Sequence, residues 1–402
     1  MDFTFPIILD GAMGTQLQKL GLPRGSCPEK WTLEHPDAVR KIQAAYVAAG
    51  AQILYSPTFG ANSAMLERHG IKGKVADYNR ELVKLSKEAA GGKALVAGDI
   101  SSTGSMLYPM GDKSFEDIYA IYLEQAAALN DAGVDLFVIE TMTGIPEARA
   151  ALLAVKSVSE KPVFVSFTCD KNGRTLMGTD VCAALQIMQG MGADVFGLNC
   201  SMGPKELAEQ VERLYALSEI PILVKPNAGL PTEVDGKTVY SVGPEEFAGY
   251  IPALAKAGAS VFGGCCGTDS EYIAAIKKAL DEVSVKSPDS KKRAYLPAAT
   301  EKQAFLLHDV ACETVFACDD DLEDNICELD EGEVFALEIR SHEDIRTFSD
   351  VQYCIKSPLC FLCEDAALLE KALRAYQGRA LYKGSLSREA LLPLTKKYGL
   401  IL

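Results

Sequence analysis

The chain has 402 residues, which at about 150 residues per domain favours two domains if one of them is a barrel. Hydrophobic residues make up 48% and charged residues 24% of the chain, so the composition excludes a disordered or fibrous protein. The net charge of −15 lacks the basic footprint of proteins that bind nucleic acid or anionic membranes. No stretch reaches about 18 apolar residues, and no basic region precedes the short apolar run at the N-terminus. We therefore expect a soluble, cytoplasmic protein without nucleic-acid or membrane partners.

Twelve cysteines are many for a chain that has no sign of secretion. In a reducing compartment they are expected to be thiols, and some of them are candidate metal ligands. Burial as small apolar side chains explains most of the others.

Short apolar or β-branched runs alternate with segments of helical period along the first three quarters of the chain. Helix boundaries are recognisable, as at 114–117, which opens a helix that ends near Gly133. Eight such units predict a (β/α)8 barrel, that is, a TIM barrel of the α/β class. An open doubly wound sheet is the alternative, and the even repetition and polar strand ends favour the closed barrel. The predicted strands are 7–10, 52–56, 94–99, 135–140, 162–168, 195–200, 222–226 and 260–264.

Three cysteines fall at strand ends, where a barrel places its active site. Cys200 ends the sixth predicted strand, and Cys265 and Cys266 follow the eighth, with glycines on both sides. Glycines allow a bent backbone that points both sulfurs at one ion. Three thiolates and one open position are typical of a catalytic zinc site. Tight packing at a glycine-rich turn is the alternative for Cys265 and Cys266 alone, and the equivalent position of Cys200 favours metal ligation.

Four motifs resemble the homocysteine S-methyltransferase family: DGAMGT at 10–15, PTFGAN at 57–62, GLNC at 197–200 and GGCCGT at 263–268. The resemblance is greatest to the homocysteine-binding barrel of cobalamin-dependent methionine synthases, and it covers about residues 1–285. It implies that Cys200, Cys265 and Cys266 are catalytic residues that hold zinc, and that the zinc binds the sulfur of homocysteine. Methyl transfer to that sulfur then gives methionine.

The resemblance also suggests how the amino-acid group of homocysteine binds. Asp10 and Glu140, at the ends of the first and fourth strands, are expected to approach the ammonium group. Backbone N–H groups of the turn that begins at Gly11 are expected to hold the carboxylate. A helix cap is the alternative for Asp10, and an ion pair at the barrel mouth is the alternative for Glu140.

Three further polar residues follow predicted strands. Thr58, Asn62 and Asn199 are candidates for orienting the substrate or the metal ligands, and structural roles are the alternative.

The last quarter of the chain differs in composition. We expect a barrel at 1–285, a polar linker at 286–303 that includes the basic run 291–293, and a small α/β domain at 304–402. Residues 313–333 contain ten acidic residues and no Lys or Arg, which is two thirds of the net charge, and predict a solvated acidic face or loop. Beyond them we expect strands at 334–339, 359–362 and 399–402, and helices at 365–376 and 387–398.

This last domain resembles part of the pterin-binding barrel that follows the homocysteine barrel in methionine synthases. It lacks the motifs that hold the pterin, and about 100 residues are too few to close an eight-stranded barrel. We expect either a half-barrel that serves as a docking surface or a chain cut from a longer parent.

Three functions are compatible with these patterns. The first is a zinc-dependent homocysteine methyltransferase whose donor is methylcobalamin on a partner corrinoid protein, because the chain lacks a cobalamin-binding Asp-x-His-x-x-Gly signature. The second is the same chemistry with S-methylmethionine or a betaine as donor. The third is a non-catalytic docking module for a corrinoid protein.

Overall fold

The computed structural model describes residues 3–108, 110–200, 202–234, 237–286, 295–309, 312–330 and 332–402. The chain groups into two compact units, Met1–Met177 with Asp194–Asp289, and Gly178–Ala193 with Ser290–Leu402. Within the described ranges, no helix has both the length and the apolar character needed to cross a membrane. All twelve cysteines are free thiols and seven are buried, as expected of small apolar side chains.

The strands of the first unit follow the predicted positions closely. They are β1 (Ile7–Ile8), β2 (Ile53–Tyr55), β3 (Leu95–Ile100), β4 (Leu136–Met142), β5 (Val163–Phe167), β6 (Val195–Asn199), β7 (Ile222–Lys225), β8 (Pro231–Val234), β9 (Lys237–Tyr240) and β10 (Ala259–Phe262). Strands β8 and β9 form a separate antiparallel hairpin after β7, which the sequence did not predict.

The other eight strands form one parallel sheet in the order β1-β10-β7-β6-β5-β4-β3-β2. Its two edges meet, because the N–H of Gln52 donates to the carbonyl of Ile8 at 2.7 Å and the N–H of Asp10 donates to Ile53 at 3.1 Å. The predicted (β/α)8 barrel is thus confirmed. Its interior is filled by the side chains of Ile7, Leu9, Ile53, Tyr55, Ala97, Leu136, Val138, Phe164, Val195, Leu223 and Val261.

Helices follow the strands along the chain. They are α1 (Gly14–Lys19), α2 (Pro28–Glu34), α3 (Pro36–Ala49), α4 (Ser63–Arg68), α5 (Val75–Ala90), α6 (Phe115–Asp131), α7 (Ile145–Val158), α8 (Val181–Gly190), α9 (Pro204–Leu217), α10 (Pro244–Gly249), α11 (Ile251–Ala257) and α12 (Ser270–Leu280). The boundaries of α6 match the prediction, because Ser114 and Asp117 form a reciprocal capping box at its start.

The second unit has its own sheet and core. Its elements are β11 (Leu296–Ala299), β12 (Ala304–Leu307), β13 (Thr314–Phe316), α13 (Leu322–Cys327), β14 (Phe335–Glu338), α14 (His342–Val351), β15 (Leu359–Leu362), α15 (Ala366–Ala375), β16 (Leu381–Lys383) and α16 (Arg388–Tyr398). Strands β13 to β16 form a four-stranded parallel sheet in chain order, and β11 pairs with β12. Helix α8 belongs to this unit, where it packs against β11, β12 and α16.

Three features of this unit differ from the sequence prediction. The predicted linker 286–303 contains strand β11, and its basic run 291–293 lies outside the described residues. The acidic stretch contains β13 and α13, because Leu322 and Ile326 are buried on one side of that helix while its acidic residues stay in solvent. The expected last strand is reduced to a single bridge from Ile401 to Leu381.

Candidate metal and substrate site

A cavity of about 320 Å³ lies at the C-terminal ends of the barrel strands. Its wall contains the turn after β1, Glu29 of α2, the cysteines that follow β6 and β10, and four charged side chains at strand ends. Those four are Asp10, Asp99, Glu140 and Lys225. An enclosed pocket with a few convergent polar groups is the usual form of a small-molecule site.

The three predicted thiols meet in this cavity. The Sγ atoms of Cys200, Cys265 and Cys266 lie within 4.8 Å of one another, and those of Cys200 and Cys266 are 3.9 Å apart. Cys200 has a φ of 59°, in the left-handed region that few residues other than glycine adopt. Such strain is typical of functional sites, where the surrounding structure holds it in place.

The donor set fits a zinc ion. Two thiolates at about 2.3 Å from a tetrahedral zinc are about 3.8 Å apart, which is close to the Cys200–Cys266 distance. In the absence of a cation, the thiols oppose one another's ionisation. Hydrogen bonds with Cys200 and Cys266, together with burial, raise the pKa of Cys265 well above its usual range. The hydrogen bond with Cys200 and burial also raise the pKa of Cys266 to about 11, although Cys265 opposes this. A bound cation would offset the repulsion between the thiolates and so allow all three cysteines to ionise.

Glycines and Tyr240 shape the second cysteine loop. A Cβ on Gly264 would lie 2.4 Å from Oγ1 of Thr268, and Gly267 has a φ of +86° with the Tyr240 ring against its Cα. The Tyr240 side chain, at the end of β9, lies beside Cys266. Burial and the neighbouring Cys266 raise the pKa of the Tyr240 hydroxyl, which therefore stays protonated as a donor.

Asp10 forms a buried ion pair that the sequence did not predict. Its Oδ1 lies 2.9 Å from Nζ of Lys225, and its Oδ2 accepts the N–H of Tyr55 at 2.8 Å. Nζ of Lys225 also lies 3.7 Å from the centre of the Tyr55 ring. Burial opposes the charge on Lys225, but the carboxylates of Asp10 and Glu140 outweigh it and raise the lysine pKa. Lys225 is therefore a cation inside the cavity.

Glu140 lies beside an amide network at the end of β4. Asn199 donates from Nδ2 to Glu140 at 3.4 Å and to Oγ1 of Thr141 at 2.7 Å, and its Oδ1 accepts from Thr141 N–H and Ser166. Thr141 has a φ of 61°, a second strained residue at the site. Burial raises the pKa of Glu140 to about 7, with Lys225 opposing and Asp10 adding to the shift.

The remaining predicted residues divide between the cavity and its support. Gly11 lines the cavity, and a Cβ there would lie 2.8 Å from the Tyr46 ring. Thr58 and Asn62 are fully buried and are not among the residues that line the cavity. Thr58 Oγ1 donates to the carbonyl of Asp99 at 2.8 Å, whereas Asn62 caps α4 by accepting the N–H of Met65.

Sequence reasoning missed three residues that the structure adds. Lys225 and Asp99 both end barrel strands, and that position was the signal that could have identified them. Asn227 follows the same strand as Lys225 and is buried, and its Oδ1 has no hydrogen-bond partner among the described residues. Asn227 lies between Pro226 and Ala228, whose backbones hydrogen-bond Cys265 and Cys266. A buried oxygen without a hydrogen-bond partner is unusual in a folded protein.

The exposed large apolar residues of the first unit lie on connections that follow barrel strands β1, β2, β3, β5 and β7. In the described part of that unit, all of them lie on segments that follow the C-terminal ends of barrel strands. They are Leu20, Phe59, Met106, Tyr108, Met110, Leu176, Leu230 and Val239. Leu176 is 82% and Tyr108 75% exposed. We call these eight residues the apolar rim.

The fold and the site define a (β/α)8 barrel whose C-terminal face can hold a metal on three cysteines beside a charged cavity. The chain belongs to the homocysteine S-methyltransferase family, whose sequence profile matches residues 7–280. This confirms the resemblance carried by the four sequence motifs.

Similar proteins include two curated methionine synthases. That of Mycobacterium leprae is 32% identical over 67% of this chain, and that of Mycobacterium tuberculosis is 32% identical over 70%. The aligned region spans only 24% and 25% of those proteins, respectively. The homocysteine methyltransferase MmuM of Escherichia coli has been solved in oxidised and metallated forms, with TM-scores of 0.58 and 0.57. Both are 25% identical to this chain and cover 68% of it and 95% of MmuM.

Proposed function

We propose that the barrel binds one zinc ion through Cys200, Cys265 and Cys266 and methylates the thiol of L-homocysteine to give methionine. The observation that carries this proposal is the convergence of three thiols, within 4.8 Å of one another, at the wall of a cavity of about 320 Å³. Zinc, when bound there, supplies a Lewis-acid centre that lowers the pKa of a substrate thiol from about 8.5, so that the thiolate is available at neutral pH.

The residues of the chain supply charge balance and orientation. Three thiolate ligands give a dicationic metal a net charge of about −1, so the site withdraws little electron density from a fourth sulfur. The acidic side chains of the cavity supply acceptors for the substrate ammonium group. The Asn199 network holds Thr141 and Glu140 at one edge of the site. The N–H of Ala12 already donates to Oγ1 of Thr268, so the N–H groups at the start of α1 are the donors that we assign to the carboxylate.

We propose methylcobalamin on a separate corrinoid protein as the methyl donor. The apolar rim supports a macromolecular donor, because exposed large apolar residues on the connections that follow the barrel strands are candidate docking contacts. The similarity to methionine synthases, which are about four times the aligned length, agrees with a barrel that works with other modules.

A small methylated onium compound, such as S-methylmethionine or a betaine, is the second candidate donor. The observation that favours it is the match to 95% of MmuM, a homocysteine methyltransferase little larger than the aligned barrel.

Turnover with each donor tests the proposal. Purified protein is incubated with homocysteine and either methylcobalamin, S-methylmethionine or glycine betaine, and methionine is measured by mass spectrometry while cob(I)alamin is followed by absorbance. We expect methionine and cob(I)alamin with the first donor. If methionine forms only with S-methylmethionine, the choice of donor is overturned. If no methionine forms with any of the three donors, the methyltransferase proposal is contradicted.

Rim variants separate docking from chemistry. Tyr108→Ser and Leu176→Ser are expected to slow transfer from a corrinoid protein and to leave transfer from free methylcobalamin unchanged. Leu392→Ser, an exposed leucine of the second unit, is the matched control. Equal effects on both donors would argue against the rim as a docking surface.

A further inference from the structure

One side chain reaches the cysteine loop without being part of the cavity wall. Tyr240, the last residue of β9, lies beside Cys266 and is not among the described residues that line the cavity. Its ring packs on Gly267, where a Cβ would lie 2.4 Å from Cγ of Tyr240. Tyr240 can therefore influence a molecule in the cavity only through Cys266 and its loop.

The β8–β9 hairpin holds Tyr240 in this position. Its base is bonded to the cysteine loop through Ala228, whose N–H donates to the carbonyl of Cys266 at 2.9 Å and whose carbonyl accepts the N–H of Val242 at 3.0 Å. The hydroxyl of Tyr272 donates to the carbonyl of Val242 at 2.6 Å. Hydrogen bonds of the chain itself thus place the Tyr240 ring against the cysteine loop before any metal binds.

The hydroxyl end of the Tyr240 ring lies near the thiol cluster. Burial raises the pKa of this hydroxyl, and the charges of Cys266, Cys200 and Cys265 add to the shift. Among the described residues, no N–H group donates to Sγ of Cys266, which lies 3.9 Å from Sγ of Cys200. A tyrosine hydroxyl is protonated at neutral pH and can donate one hydrogen bond. Tyr240 is therefore a suitable donor next to a sulfur that receives no N–H.

We propose that the Tyr240 hydroxyl donates a hydrogen bond to the thiolate of Cys266 when a metal is bound, and that Tyr240 is a positioning residue of the metal centre. This inference rests on the proposed function, because it takes three thiolates as metal ligands. A thiolate accepts hydrogen bonds more strongly than a neutral thiol, so the contact should tighten when Cys266 ionises. The bond offsets part of the negative charge that three thiolates bring together, and it fixes the direction of the Cys266 sulfur.

Cobalt(II) binding tests the inference, because the sulfur-to-cobalt charge-transfer absorption depends on the electron density of the thiolates. Metal-free wild-type protein and Tyr240→Phe are titrated with Co²⁺, and then with Zn²⁺ in competition with a chelator. The phenyl ring still packs on Gly267, so only the hydroxyl is lost. We expect the charge-transfer band of Tyr240→Phe to move to longer wavelength. Its zinc dissociation constant should rise about tenfold, the size expected when a metal ligand loses its hydrogen-bond partner.

Tyr272→Phe is the matched control. It removes a hydroxyl that holds the base of the same hairpin at Val242. We expect its cobalt spectrum and its zinc affinity to match those of the wild type. Thermal unfolding of the metal-free proteins establishes that both variants are folded, and Tyr240→Leu replaces Tyr240→Phe if the latter is not.

Three results would count against the inference. If Tyr240→Phe has the wild-type cobalt spectrum and zinc affinity, the inference is overturned and the metal site stands. If Tyr272→Phe shows the same band shift as Tyr240→Phe, the position of the hairpin and not the hydroxyl acts on Cys266, and the inference is again overturned alone. If the wild-type protein binds neither cobalt nor zinc, the proposed function fails and the inference falls with it.

Discussion

The Sγ atoms of Cys200 and Cys266 lie 3.9 Å apart although 66 residues separate them in the chain. Both cysteine segments are fastened to the end of the strand between them, β7. The carbonyl of Lys225 accepts the N–H of Cys200 at 3.0 Å, and the carbonyl of Pro226 accepts the N–H of Cys265 at 2.8 Å. The end of β7 therefore sets the spacing of the thiols before any metal binds.

A preformed thiol cluster should bind metal in a fixed ratio. We expect purified protein to carry about one zinc per chain, and Cys265→Ala to lose both the zinc and thiol methylation, because two thiolates are a weak site. Metal analysis by mass spectrometry and methionine formation are the measurements.

The matched control for that substitution is Cys327→Ala, which removes an exposed thiol of the second unit. It should keep the zinc and the activity. Zinc at one per chain in Cys265→Ala, with activity retained, would eliminate the proposed mechanism.

The barrel and the cysteines could be predicted because each rests on a local pattern. The strands of the barrel are apolar runs of the right length, and Cys200, Cys265 and Cys266 end two of them in glycine-rich sequences. Because the barrel strands are parallel, their C-terminal ends meet at one face of the barrel. The convergence of the three cysteines therefore followed from the predicted fold.

The charged wall of the cavity could not be predicted in the same way. Lys225 and Asp99 were visible as polar strand ends, but the pairing of Lys225 with Asp10 depends on side-chain contacts across the barrel, 215 residues apart in sequence. Helix α13 was missed for another reason. Its acidic residues dominate the local composition, whereas only Leu322 and Ile326 are buried.

Gly11 is expected to be intolerant of a side chain. Gly11→Ala places a Cβ 2.8 Å from the Tyr46 ring, whose hydroxyl donates to the carbonyl of Ala12 at 2.6 Å. Overpacking of this kind costs about 1–3 kcal/mol of the free energy of unfolding, and the shifted turn should also weaken homocysteine binding. Urea denaturation and calorimetric titration measure the two effects.

Gly14→Ala is the matched control for Gly11→Ala, because a Cβ at Gly14 meets nothing within 4 Å. It should leave the free energy of unfolding near the wild-type value. Equal stability of the two variants would contradict the packing argument.

Asn199 is expected to stabilise the strained turn at Thr141. Asn199→Leu removes the acceptor of the Thr141 N–H and the donor to its hydroxyl, and should lower the free energy of unfolding by about 1–3 kcal/mol. Urea denaturation measures the loss. Ser166→Ala, which removes only one hydroxyl from the Asn199 carbonyl, should cost less, and the reverse order would contradict this account.

Glu140 predicts a pH dependence of stability in the metal-free protein. Burial, opposed by Lys225 and reinforced by Asp10, raises its pKa to about 7, whereas in the unfolded chain it is about 4.3. A raised pKa in the folded state means that the protonated form is favoured there. Its contribution to stability is therefore complete below the unfolded pKa and is lost as the pH rises through 7. Burial also raises the pKa of Asp10, which acts in the same direction.

We expect the free energy of unfolding to fall between pH 5 and pH 7, with a share of at most about 3 kcal/mol from Glu140. Urea denaturation across this range measures the slope, and Glu140→Gln should reduce it. A wild-type stability that rises over the range, or a Gln variant with an unchanged slope, would show that Glu140 is ionised in the folded protein.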